Sequence, residues 1–138
     1  QCPQMAMVRV DGSLFFGAVS HVTEQLRHLE QQAPEARDLA LLASGVNFID
    51  VAGAELLVQE AKRRRERGGR LYLFGAKRAV RDFLQRGGYL AAIGADNLFD
   101  SKGRGIAAAY ERMDGDACSR CAQPIFSECQ GRPSGRTE

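Results

Sequence analysis

Asn47-Phe48-Ile49-Asp50-Val51-Ala52-Gly53 is the stretch on which the reading of this chain turns. Before it, Asp38 to Ala43 (Asp-Leu-Ala-Leu-Leu-Ala) is an almost unbroken apolar run, the pattern of a strand covered on both faces. After it, apolar residues recur at helical spacing from Val51. Asp50 stands at the N-cap position of that helix, where a carboxylate accepts unpaired amide protons of the first turn and meets the positive end of the helix dipole. In alternating α/β folds, ligands bind where the carboxyl end of a strand meets the amino end of a helix. The candidate site is therefore placed here.

Working outward, Met5 to Val10 and Ser13 to Phe16 are short apolar runs separated by Asp11-Gly12, a pair suited to a type I′ turn. This predicts a β-hairpin. From Ala18 the period becomes helical, with Val19, Val22, Leu26, Leu29 and Ala33 inward, and Pro34 stops the helix. Downstream of the central stretch, Val51, Ala54, Leu57, Val58, Ala61 and Arg65 are expected to face the core. Glu60, Arg63, Arg64 and Arg67 form the expected outer stripe, with Glu60 and Arg64 as an i,i+4 pair, and Gly68-Gly69 ends the helix. Arg70 to Phe74 reads as the next strand, and Lys77 to Arg86 as a helix with Val80, Phe83 and Leu84 inward. Tyr89 to Ile93 fits no single template, and Asn97 to Phe99 suits a brief edge strand. Ser101 caps a last helix over Lys102 to Met113, with Ile106, Ala109, Tyr110 and Met113 inward. After Asp114-Gly115-Asp116 the composition turns to Ser, Gly, Pro and Arg, which predicts disorder beyond about Cys129.

The 138 residues, 44% hydrophobic, suit one domain and a tail. A net charge of +2 argues against nucleic acid as a partner. The charge is unevenly spread: Lys62 to Arg86 holds ten Lys or Arg against Glu66 and Asp82, a local +8 that leaves −6 elsewhere. That face suits an anionic partner, or is a solvated helix surface. No window reaches the ~20 apolar residues that cross a bilayer, and no charged-then-apolar leader opens the chain. It begins Gln1-Cys2-Pro3 without an initiator methionine, from which residues 1–4 are expected to be a leader or cloning remnant and the chain a piece of something longer or a trimmed form.

His21 and His28 lie two turns apart on a helix, with no carboxylate or cysteine at i+4 from either, and read as surface residues. Cys118, Cys121 and Cys129 offer three soft ligands, where a closed zinc site takes four. Cys2 completes the set only if the termini meet. A small metal or redox module stands against a flexible reduced tail. No Gly-x4-Gly-Lys-Ser/Thr loop is present, and no nucleophile can be paired with a base, so an enzyme is not expected.

Three segments together resemble the STAS domain, shared by sulfate transporters and anti-sigma factor antagonists: Asp11-Gly-Ser-Leu-Phe-Phe-Gly17, Phe48-Ile-Asp-Val-Ala-Gly53, and Arg70-Leu-Tyr-Leu-Phe-Gly75 followed by a helix and Gly88-Tyr89. The resemblance covers residues 5–113 and sets 114–138 apart as a cysteine-containing tail. It implies an α/β fold of the anti-sigma factor antagonist type, a small mixed sheet with helices mainly on one side. The antagonist branch carries a phosphorylatable serine just after the loop aspartate; here that position is Val51, followed by Ala52. Phe15-Phe16 resembles the SulP anion-transporter branch instead. The resemblance therefore implies a non-catalytic cytoplasmic domain at the inner face of the plasma membrane, attached to the transmembrane part of a sulfate or related anion transporter. The alternative it leaves is a standalone antagonist-like regulator. It further implies no resident cofactor, weak nucleotide binding or an acidic protein partner, and dimerisation through the parent transporter. The residues expected to meet a ligand or partner are Asn47, Asp50, Val51, Ala52, Gly53, Lys77 and Arg78.

Overall fold

A computed structural model describes residues 4–14 and 16–113. The order is β1 (Met5–Arg9), β2 (Gly12–Leu14), α1 (Phe16–Gln32), β3 (Asp38–Leu42), β4 (Val46–Ile49), α2 (Val51–Glu66), β5 (Leu71–Phe74), α3 (Arg78–Arg86) and α4 (Tyr89–Ile93). A 3₁₀ turn at Ala95–Asn97, β6 (Leu98–Phe99) and α5 (Lys102–Arg112) complete it. Cys2, Phe15 and the tail with Cys118, Cys121 and Cys129 lie outside the described residues, as does the disorder expected after Cys129.

Four strands form one sheet in the order β1-β3-β5-β6, and β2 pairs with β4 in a second. Each pairing is parallel, so a mixed sheet is not what these residues build. The expected hairpin at Asp11-Gly12 does not form. β1 runs beside β3, with Met5 opposite Asp38 and Arg9 opposite Leu42, while β2 runs beside β4, with Leu14 opposite Ile49. Gly12 does take a positive φ of 86°, but it bends the strand from one sheet into the other instead of reversing it. The partner segment bends with it, and Gly12 donates to the carbonyl of Gly45 at 2.8 Å across the step. A Cβ at Gly45 would lie 1.9 Å from Asp11 Oδ1, so a side chain there would displace that carboxylate. A turn dipeptide carries a local signal for bending. Whether the chain then reverses depends on the return through α1, which local residues do not encode.

Period-two alternation sorts the strands into two cores. Leu39 and Leu41 of β3 and Leu71 and Leu73 of β5 face α1 to α4, packing with Val22, Leu26, Leu57 and Leu84. Ala40, Tyr72 and Phe74 face the other way with Met5, under Ile106, Ala109 and Met113 of α5 and the residue that follows it. Among the described residues, four helices thus cover one face and α5 covers the other. Its approach is close: a Cβ on Gly105 would lie 2.2 Å from ring atoms of Phe74. Tyr72, Phe74 and Phe99 form an aromatic trio beneath it, with centroids 5.8 to 6.4 Å apart.

Two further expectations change. Val46–Ile49, for which the sequence suggests no strand, is strand β4. α2 is also rotated from its expected phase. Val51 is 52% exposed and Arg65 is exposed, whereas Gly53, Leu56, Glu60 and Arg64 join Ala54, Leu57 and Ala61 in the buried set. α2 packs on the sheet and on α1 together, so it buries two adjacent stripes. The second stripe includes the charged pair Glu60 and Arg64, joined at i,i+4 and met by further partners from outside α2.

Candidate partner-docking site

The loop at the carboxyl end of β4 is built by three local features. Asp50 has extended backbone (φ −117°, ψ −173°), and its Oδ1 accepts from the amide of Gly53 at 2.9 Å, which makes it the N-cap of α2. Its own amide donates to Leu14 O at 3.2 Å and ties the cap to β2. Gly53 lets the first turn of α2 sit directly on that strand, since a Cβ there would be 2.3 Å from Leu14 O. The carboxylate of Asp50 is thus committed to holding the helix in place, and it neutralises the positive end of the dipole.

What this turn presents outward is apolar. Phe48, at 54% exposure, and Val51, at 52%, are the exposed large hydrophobic residues of the described chain, and they flank buried Ile49 and the cap. Ala52 is half-buried and lines a groove of about 700 Å³ between α1 and α2, with Val19, Thr23, Leu26, Leu56 and Gln59. The Nζ of Lys77 donates to Asn47 Oδ1, joining β4 to the start of α3. Lys77 is the N-cap of α3, and its side chain plays no part in capping that helix. Arg78 projects into solvent with its side chain 95% exposed and only a 4.0 Å approach to Asp82. Asn47 and Lys77 are therefore brought into contact, Asp50 and Gly53 are joined through the cap, and Arg78 stands apart from both pairs.

Three arginines of the basic stretch seen in sequence, Arg63, Arg64 and Arg67, are engaged by carboxylates of α1 and α2. Glu30 of α1 accepts from Arg27, from Arg63 at 2.8 and 3.1 Å, and from Arg67 at 3.1 Å. Glu60, 2% exposed, pairs with Arg27 and receives Arg64 Nε at 3.1 Å. Arg64, 1% exposed, also donates to Ala36 O at 3.2 Å, and its Nη2 has no hydrogen-bond partner among the described residues. Burial alone would raise the carboxyl of Glu30, but the hydrogen bond and charge of Arg63, with those of Arg27, outweigh it and hold the group below its usual range. This network was not anticipated, because Glu60 and the arginines were placed on a solvent stripe. The available signal was Arg27 and Glu30 at i,i+3 on α1, matching the charges on α2.

At the opposite end of the sheet burial dominates. It pushes the carboxyl of Asp38 up, against a hydrogen bond from the Arg70 amide, and it raises the phenol of Tyr72. His21 and His28 are exposed, and no group of three metal-ligating side chains occurs among the described residues. No described helix is long and apolar enough to cross a membrane.

Comparison with known proteins adds the following. A sequence profile of the STAS domain matches residues 1–104. The putative sulfate transporter YvdB of Bacillus subtilis is 26% identical over 98 residues. Those residues are 71% of this chain, and the chain spans 18% of that relative's length. Among solved structures, a sulfate transporter family protein from Wolinella succinogenes superposes with a TM-score of 0.67 at 24% identity, over 78% of this chain and 85% of that one. The STAS domain of a SulP transporter from Vibrio cholerae superposes with a TM-score of 0.63 at 23% identity, over 79% and 83%. At these identities the superpositions establish a shared fold.

Proposed function

Because the chain belongs to the STAS domain family, we propose that it is the non-catalytic regulatory domain of a membrane transporter for sulfate or a related anion, of the SulP type. The observation that carries this reading is the match to one segment of a sulfate transporter relative, most of whose length lies outside the matched segment. In this reading the domain works at the cytoplasmic face of the plasma membrane. Its first partner is the transmembrane part of the same polypeptide, which also brings two copies together.

The Asn47–Gly53 turn is the contact surface on this reading. Phe48 and Val51 supply apolar area at a rigid, capped helix start, and Lys77 and Arg78 supply positive charge at the neighbouring helix start. That combination fits an acidic protein surface, and more weakly the phosphates of a nucleotide. Neither Val51 nor Ala52 has a hydroxyl, so a serine-phosphorylation switch has no acceptor at these positions, which weighs against a standalone antagonist.

The coding sequence upstream of Gln1 tests the first part. Several in-frame segments of ~20 apolar residues are expected, whereas a translation start at Met5 or Met7 overturns the assignment to a transporter. For the surface, titration with GTP and ATP is expected to move the amide signals of Asp50 to Ala54 and of Lys77. Signals that stay fixed at millimolar nucleotide remove that ligand and leave the protein partner. Protein docking is then tested by Phe48→Asp in the full transporter, which is expected to alter anion flux.

A further inference from the structure

A second basic feature stands at the other end of α2. Arg65 lies fifteen residues after the Asp50 cap, ~22 Å away at 1.5 Å per residue. Its Nη1 donates to Ala92 O at 2.8 Å. Arg70, at the entry to β5, and Arg112, at the end of α5, both place an Nη1 3.1 Å from the same oxygen, Asn97 Oδ1. Arg112 Nη2 also reaches Asp96 O at 3.4 Å. Two guanidinium nitrogens thus share one neutral acceptor, no further apart than twice that bond length. Two carboxylates lie near them: Asp96, 3.7 Å from Arg70 Nη1 and largely exposed, and Asp38, whose Oδ1 accepts from the Arg70 amide at 2.8 Å.

The local chain is shaped to hold this arrangement. Asn97 is buried and its Nδ2 lies 3.5 Å from Ile93 O. Gly94 makes room for it: its φ is +107°, and a Cβ there would lie 2.7 Å from Asn97 Nδ2. Beside the pair of arginines opens a cleft of about 480 Å³, with Arg65, Gly69, Arg70, Gly94, Asp96 and Asn97 in its walls. A guanidinium has five N–H donors, and the bonds described use only Nη1 of Arg65 and of Arg70.

We propose that this cleft binds a small tetrahedral oxyanion, sulfate or phosphate, free or as the terminal phosphate of a nucleotide, through the guanidinium groups of Arg65 and Arg70. Planar guanidinium forks match oxyanion geometry with paired hydrogen bonds. Arg65, Arg70 and Arg112 against Asp96 and Asp38 leave a formal local charge of +1, so the cleft stays net cationic. The Asp96 carboxylate on the rim opposes binding, and the excess of arginine offsets it. The proposal is independent of the docking surface at Asn47–Gly53.

The test is an amide NMR titration of the 138-residue chain with sodium sulfate, sodium phosphate and ATP, each against sodium chloride at matched ionic strength. Saturating shifts are expected at Gly94, Asp96 and Asn97. They weaken about tenfold or more in Arg65→Gln and in Arg70→Gln, the loss of a charge-assisted hydrogen bond. Arg81→Gln, at a position paired with Asp100, retains them. Saturation by sulfate or phosphate assigns a free ion, and saturation by ATP alone assigns a nucleotide phosphate. The proposal is overturned if all three anions produce the unsaturated drift of chloride, or if Arg65→Gln and Arg70→Gln saturate like the unaltered chain. Arg65 is exposed, so its variant is expected to keep the fold, which the unshifted remainder of its amide spectrum verifies.

Discussion

Glu60 and Arg64, one helical turn apart on α2, are both sealed from solvent and joined at 3.1 Å through Oε1 and Nε. Removing one member leaves the other charge buried without its main partner, a loss of ~3–5 kcal/mol for buried ion pairs. Glu60→Ala is therefore expected to lower the free energy of unfolding by that order in urea denaturation. Glu60→Met combined with Arg64→Met is expected to lose less than Glu60→Ala alone, since no lone charge remains. Equal losses would show that the pair is not coupled.

Two neighbours in the α2 turn should respond in opposite ways. Gly53→Ala drives a methyl group to within 2.3 Å of Leu14 O and is expected to cost ~1–3 kcal/mol, the range for overpacking. Val51→Ser removes an exposed side chain and should stay within ~0.5 kcal/mol. Thermal denaturation of the two variants measures the contrast. The same turn loses ~1 kcal/mol on Asp50→Ala and little on Asp50→Ser, which keeps a capping oxygen.

Leu41, 1% exposed in the strand between β1 and β5, is a measure of the core. Leu41→Ala is expected to cost ~2–5 kcal/mol with an unchanged denaturant slope. A loss under 1 kcal/mol would place the main core elsewhere.

Acid acts on two carboxylates with opposite sign. The carboxyl of Glu30 is held down in the fold, so its contribution is complete above the ordinary value of 4.5 and is lost as pH falls through the lower folded value. Asp38 is pushed up by burial, so its ionisation costs stability as pH rises from the ordinary 3.8 through the higher folded value, and protonation in acid restores it. Unfolding followed from pH 7 to pH 3 should show a shallower acid loss for Glu30→Gln than for the unaltered chain. For Asp38→Asn the acid loss should be steeper, because the compensating gain is gone.

What could be read from sequence was what neighbours along the chain decide. Asp50 and Ser101 were identified as caps because capping chemistry is written within three residues, and both side chains do accept from the first turns they precede. The apolar run at Asp38 to Ala43 identified the central strand because burial on both faces leaves no polar residue in it after Asp38. Asp11-Gly12 misled because bending and reversing begin with the same two residues. The face of α2 was misjudged because Glu60 and Arg64 look solvated until Arg27 arrives from another helix. At the candidate site, the Lys77 to Asn47 contact spans thirty residues and depends on how α3 lies against β4.

α5 has a consequence for the order in which the molecule comes apart. It is eleven residues long, shorter than helices that persist alone in water, and it covers its face of the sheet without help from another described helix. Its departure breaks contacts to Met5, Ala40, Tyr72 and Phe74 while leaving the Leu39, Leu41, Leu71 and Leu73 face closed under α1 to α4. Hydrogen exchange should therefore resolve two cooperative units, with the amides of α5 opening at a lower free energy than those of β3 and α2. The sheet is thus a one-sided platform with a detachable cover, and the aromatic trio is what that cover hides.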